Sequence, residues 1–283
     1  MSDKSTFVVD ADWLQSRLGT PGISIVDASW YLPTAKRDPK AEYDTAHIPG
    51  AVFFDHEAIS DPQGKFPHTF PTAQHFARLV GGMGISADDT IVVYDGPGYM
   101  SAPRAWWLFR VMGVFQVYIL DGGFDRWKAE GRPVTSDVTK VAPCIFHVDA
   151  DDHQAVRLDE MKTLVAEGAV QVADARAAGR FSGDEPEPRP GLKSGHMPGA
   201  RNVPSSSLSR NGELLPVDEL RAVLENAGLD LDKPVVTSCG SGITAAVISL
   251  ALQSVGHKDN RLYDGSWTEW ASQSDTPIVT GKA

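Results

Sequence analysis

His47-Ile-Pro-Gly-Ala51 is read a second time as His196-Met-Pro-Gly-Ala200. Two further stretches repeat in the same order. Leu120-Asp-Gly-Gly-Phe-Asp-Arg-Trp127 returns as Tyr263-Asp-Gly-Ser-Trp-Thr-Glu-Trp270, and Val26-Asp27-Ala28 returns as Ala173-Asp174-Ala175. The offset between copies is nearly constant and far too long for a solenoid unit, so each copy is expected to be a domain. His47 and His196 precede Pro-Gly in both copies, which predicts a structural duty for them.

Both copies alternate short β-branched runs with helical patterns. In the second, Val170–Ala173, Val235–Thr237 and Arg261–Tyr263 read as strands. Val217–Ala227 carries apolar residues at helical spacing, and Ile243–Val255 is apolar nearly all round. The first copy matches, with strands at Ile91–Tyr94 and Val117–Leu120 and helices at Ala102–Met112 and Phe124–Ala129. This alternation predicts an α/β fold of two tandem domains, each a mainly parallel sheet with helices on both faces. The domains are placed at residues 16–136 and 165–278, with a linker over 137–160.

Composition narrows the function. The 283 residues are 42% hydrophobic and 22% charged, ordinary for a globular chain. No apolar run approaches the length of a membrane span. A net charge of −11 argues against nucleic acid or an anionic membrane as partner. A small anionic substrate is still compatible, because exposed charges are screened over short distances. Met1–Asp10 has no apolar core with a cleavage site and is too acidic for a transit peptide, so a cytoplasmic location is expected. Two cysteines, Cys144 and Cys239, suit a reducing compartment and cannot by themselves make a zinc site.

Cys239 lies in Val235-Val-Thr-Ser-Cys-Gly-Ser-Gly-Ile-Thr-Ala-Ala246. A strand ends, a Gly-rich loop begins and an apolar helix follows. Ligands bind at such strand ends in open α/β sheets. Gly240 and Gly242 let the loop turn its N–H groups inward as an anion nest, which favours a thiolate and would equally hold a persulfide anion. The first copy aligns as Val93-Tyr-Asp-Gly-Pro-Gly-Tyr-Met-Ser101, with Asp95 opposite Cys239. A carboxylate cannot carry sulfane sulfur, so the first domain is expected to be non-catalytic and to help form the cleft. Cys144, with no glycine loop around it, reads as a bystander.

These motifs, doubled, together with Cys-Gly-Ser-Gly-Ile-Thr-Ala, resemble the two-domain rhodanese family, and within it the 3-mercaptopyruvate sulfurtransferases, over about residues 7 to 280. The resemblance implies two rhodanese-like domains, a persulfide on Cys239, and transfer of its sulfur to a thiol acceptor, such as thioredoxin or a small thiol, or to cyanide. It implies no metal or organic cofactor. Thiosulfate-specific relatives carry Cys-Arg-Lys-Gly-Val-Thr, whereas this chain has Gly240 and Ser241 at the cationic positions. A hydroxyl suits proton transfer better than charge neutralisation.

The same resemblance implies that Arg180 and Arg189 bind the donor carboxylate, a task for which the guanidinium fork is shaped. It places Gly240, Gly242, Ile243 and Thr244 around the substrate. It makes His68 the first domain's contribution, in a relay with an acidic residue among Asp55, Glu57 and Asp61. Arg176 is expected to pair with acidic neighbours. The alternatives are a thiosulfate sulfurtransferase and a sulfur-carrier module. A phosphatase of this fold needs Cys-x5-Arg, and residue 245 is Ala.

Overall fold

The computed structural model describes residues 3–282. The first half runs β1 (Val8–Val9), α1 (Ala11–Gln15), β2 (Ile23–Asp27), α2 (Pro39–Thr45), β3 (Ala51–Phe53), α3 (His56–Ile59), α4 (Ala73–Gly82), β4 (Thr90–Tyr94), α5 (Ala102–Val111), β5 (Val117–Leu120) and α6 (Gly123–Ala129). The second runs β6 (Ala155–Val156), α7 (Leu158–Glu167), β7 (Gln171–Asp174), α8 (Ala178–Ser182), β8 (Arg201–Asn202), β9 (Ser209–Arg210), β10 (Glu213–Leu214), α9 (Val217–Asn226), β11 (Val235–Ser238), α10 (Ala245–Ser254), β12 (Asn260–Tyr263) and α11 (Ser266–Trp270).

Each half builds a five-stranded sheet, ordered β1-β5-β4-β2-β3 and β6-β12-β11-β7-β8, and every pair in them is parallel. The topologies superpose strand for strand. The central strands β4 and β11 are short β-branched runs buried on both faces, as a helix-covered parallel sheet requires. β6 and the start of α7 fall inside the stretch read as linker. A two-residue strand shows no period, so nothing local marked it. The helix expected from Ile243 begins at Ala245, because Gly242 is left-handed (φ 82°) and the loop turns once more before the helix starts.

The halves share one apolar core. α5 packs across α10, and Trp106, Leu108, Val247 and Leu250 are among its buried residues. Polar ties are exchanged reciprocally. The Phe70 N–H of the first half donates to Asp264 Oδ2 at 2.8 Å, and the Leu214 N–H of the second donates to Asp121 Oδ1 at 2.9 Å. Each aspartate follows the last strand in its own half and holds a segment of the other half. The recurring Asp-Gly motif also has a local task. Trp267 and Thr268 N–H groups donate to the Cys239 and Gly240 carbonyls, and Phe124 and Asp125 N–H groups do the same for Asp95 and Gly96. The paired histidines are structural in both halves. His47 Nδ1 meets the Tyr43 carbonyl and stacks on its ring, and His196 Nδ1 meets the Phe181 carbonyl and stacks likewise.

One matched position has diverged electrostatically. Asp174 is buried and receives the Arg176 backbone N–H and guanidinium. Asp27 is equally buried, but Ser29 stands where Arg176 would and brings no charge; its N–H donates to Asp27 Oδ1 at 3.0 Å. Burial, with Asp95 nearby, pushes the Asp27 carboxyl up to about 6. Between pH 4 and 6 the unfolded chain ionises this group while the folded chain keeps its proton, so stability falls as pH rises through that window. Asp27→Asn should therefore raise the melting temperature at pH 8, by a gain on the order of 3 kcal/mol, and change little at pH 4. Thermal unfolding across pH reads this directly; a gain that does not depend on pH would contradict it.

Candidate active site

Cys239 directly follows β11, at the carboxyl edge of the second sheet. Its side chain is 2% exposed, and it lines a cavity of about 200 Å³. The thiol is therefore reached through that cavity and not from open surface. The Cys239 N–H donates to Ser266 Oγ, so α11 fixes the loop from below. Among the described residues, no main-chain acceptor takes the N–H groups of Gly240 through Thr244.

The first half shows what such a loop holds. Asp95 is fully buried, and its Oδ2 accepts the N–H groups of Met100, Ser101 and Ala102 at 2.8, 2.7 and 2.8 Å. Burial still raises the Asp95 carboxyl above its ordinary range, against the pull of those amides. Met100 and Ser101 stand in register with Thr244 and Ala245. The same loop thus cradles a carboxylate oxygen in one half and surrounds a thiol in the other.

The cationic wall comes from α8 and the Pro-rich stretch after it. Arg180 and Arg189 both line the cavity and converge on Gly240. A Cβ at Gly240 would stand 3.2 Å from Arg180 Nη2 and 3.9 Å from Arg189 Nη1. The two cations differ in their partners. Glu187, whose side chain is buried, bridges Arg176 and Arg180. Arg176 is otherwise engaged by Asp174, as its neighbours suggested. Arg189 has only Thr268 Oγ1 at 3.4 Å, and no carboxylate pairs with it among the described residues.

The third feature crosses between the halves. Ser241 Oγ and His68 Nδ1 are 2.9 Å apart, and His68 Nε2 lies 2.9 Å from Glu57 Oε1. The His68 hydrogen bond holds the Glu57 carboxyl below its usual range. Asp55 instead caps α3, and Asp61 accepts the Gln63 N–H, so Glu57 is the acid at the histidine. Trp30 packs edge-on to His68 and donates Nε1 to Glu57 at 3.3 Å.

The cavity thus gathers Cys239, Gly240, Ser241, Ile243, Thr244, Arg180 and Arg189. His68 stands behind Ser241 and is buried. Gly242, expected around the substrate, is not among the residues that line the cavity, and a Cβ there would meet the Asp264 carbonyl and the Arg104 guanidinium. Its left-handed φ is what closes the loop. Cys144 is exposed, and its thiol meets the Ile85 carbonyl, remote from this site. Sequence reading missed Trp30 and Met100, which line the cavity from the first half, and Glu187. Glu187 was signalled only by lying in the Pro-rich stretch beside the two arginines.

The rhodanese-like domain model matches the chain twice, over residues 10–130 and 157–273. A 3-mercaptopyruvate sulfurtransferase of Escherichia coli K12 is 41% identical over 275 residues, covering 97% of this chain and 98% of that protein. An Arabidopsis thaliana protein named thiosulfate/3-mercaptopyruvate sulfurtransferase 1, mitochondrial, is 41% identical over 96% of this chain and 77% of its own length. The crystal structure of the 3-mercaptopyruvate sulfurtransferase SseA from Escherichia coli matches with a TM-score of 0.85 at 39% identity, covering 93% of this chain and 99% of that one. Among the described residues, no helix is long and apolar enough to cross a membrane.

Gly240 leaves the room in which both guanidiniums converge. Gly240→Ala should displace the Arg180 guanidinium and raise KM for a small carboxylate-bearing sulfur donor by about tenfold, a binding loss of roughly 1.4 kcal/mol. The fold should be kept. Steady-state kinetics with a thermal-unfolding control measure both, and an unchanged KM would show that the arginines do not meet the donor.

Proposed function

This chain belongs to the rhodanese family, and we propose that it is a 3-mercaptopyruvate sulfurtransferase carrying sulfur as a persulfide on Cys239. The observation that carries the choice of donor is the hydrogen-bonded line from Ser241 through His68 to Glu57, beside the thiol. A dianionic donor such as thiosulfate asks a site mainly for positive charge. Loss of pyruvate as its enolate asks for a proton, and hydroxyl, imidazole and carboxylate are the groups that deliver one.

In the proposed reaction, the Cys239 thiolate attacks the donor sulfur while Arg189, the cation without a carboxylate partner, takes the donor carboxylate with Arg180 beside it. The carbon–sulfur bond breaks, and its electron pair goes to carbon as the enolate. The donor's thiol proton passes by way of Ser241 and His68 to that carbon, giving pyruvate. The persulfide on Cys239 remains as an anion. Its outer sulfur lies three bonds from Cα, as Asp95 Oδ2 does in the first half. The amide cradle of Asp95 is the support for a matching cradle here. A thiol acceptor such as thioredoxin or a small thiol, or cyanide, then attacks the outer sulfur and restores the thiolate. Cys144 and Cys239 are free, and this chemistry suits a reducing compartment such as the cytoplasm.

Cys239→Ser should abolish turnover and the adduct of about 32 Da that one sulfur adds to the wild type in mass spectrometry. Ser241→Ala and His68→Ala should each lower kcat for pyruvate release by about 10²-fold or more, with a smaller effect on thiosulfate. A wild type that clearly prefers thiosulfate would overturn the donor assignment. One that forms the adduct but never turns over would mark a sulfur carrier instead.

A further inference from the structure

Thr268 lies on α11, beside the cysteine loop, and is 7% exposed. Its N–H and its Oγ1 both donate to the Gly240 carbonyl, at 2.9 and 2.6 Å. The hydroxyl hydrogen is thereby committed, and what Oγ1 keeps is a lone pair. Arg189 Nη1 donates to that oxygen at 3.4 Å, and its guanidinium has no other acceptor among the described residues.

The first half holds the same arrangement with one exchange. Asp125 is in register with Thr268, and its N–H donates to the Gly96 carbonyl at 2.8 Å, as the Thr268 N–H does to Gly240. A guanidinium stands beside Gly96 too, since a Cβ there would lie 3.1 Å from Arg37 Nη2. Arg37, however, is occupied. Glu42 takes its Nε and Nη2 at 2.8 and 2.6 Å, and Asp125 Oδ2 takes its Nη1 at 3.4 Å.

The position that gives Arg37 a carboxylate therefore gives Arg189 a hydroxyl, in the half that carries the nucleophile. A carboxylate would orient the arginine but cancel the charge that an anionic donor is to meet. An aliphatic side chain would leave the charge but not the direction, because a long side chain without a partner has many rotamers open to it. A hydroxyl with its hydrogen committed elsewhere supplies direction and leaves the charge.

We propose that Thr268 is a positioning residue that sets affinity for the donor, its hydroxyl orienting Arg189 without neutralising it. The assignment rests on the reading above, in which Arg189 takes the donor carboxylate.

Thr268→Val in the full chain is the first test. It is close in shape, keeps the N–H bond to Gly240 and removes the oxygen. KM for 3-mercaptopyruvate should rise about 3- to 10-fold, the scale of one hydrogen bond, while kcat changes little. Thr268→Ser should restore it. Thr268→Asp, which copies the first half, should raise KM by about 10- to 100-fold, as when a charge-assisted bond is lost. In an Arg189→Ala background, Thr268→Val should change KM by less than about twofold, because the hydroxyl then has nothing to orient. Thermal unfolding checks each variant, and Thr268→Ala takes the place of Thr268→Val should the latter not fold. An equal loss in both backgrounds, a fall in kcat with KM unchanged, or no difference between Val and Ser would make Thr268 only a prop of the cysteine loop and overturn the inference. Calorimetry of pyruvate binding to Cys239→Ser repeats the comparison without turnover. Its Kd should rise with Thr268→Val and recover with Thr268→Ser, and a Kd that does not move would equally overturn the inference. Should the wild type release no pyruvate from 3-mercaptopyruvate, the donor assignment falls, and the Kd comparison alone decides for or against Thr268.

Discussion

Two aspartates, each just past the last strand in its own half, hold a segment of the opposite half by a main-chain amide. Asp264 and Asp121 are nearly fully buried, so these bonds are made away from water, where a lost partner leaves a costly orphan. The exchange carries His68 from the first half over to the cysteine loop of the second. The Phe70 bond lies two residues beyond His68, and the first half also gives the cavity Trp30 and Met100.

Duplication followed by divergence explains the remaining chemistry. Both halves keep a strand, a Gly-rich loop and an Asp-Gly motif whose following amides brace the loop carbonyls. In the first half the cradle is filled from within by Asp95, and the arginine beside Asp27 has become Ser29. Asp27 is left as an acid in an apolar place, pushed up to about 6. In the second half Cys239 leaves the cradle available, Asp174 keeps Arg176, and the charges nearest the cavity are cationic. Glu187 offsets part of that charge by pairing with Arg176 and Arg180. Among the described residues, that leaves Arg189 at the cavity without a carboxylate partner.

Much of the fold was legible. The repeated Pro-Gly and Asp-Gly stretches marked two domains because turns and close loop contacts depend on a few local residues. The central strands were readable because a strand buried on both faces must be apolar throughout. Edge strands such as β6 and β8 were not, since two residues carry no period. The cysteine loop announced itself by its glycines, but the sequence does not tell them apart. Gly242 is left-handed, and Gly240 lies where the Arg180 and Arg189 guanidiniums come together.

The sequence by itself determined the duplication, the α/β layering and the position of the one cysteine set between a strand and a Gly-rich loop. Each of these is written in spacings of a few residues, which local sterics and burial translate directly. Only the tertiary structure decided which acid among Asp55, Glu57 and Asp61 meets His68, that Glu187 shares Arg180, and that Thr268 meets Arg189. Those contacts depend on where packing aims a side chain across an interface, and no local period records that direction.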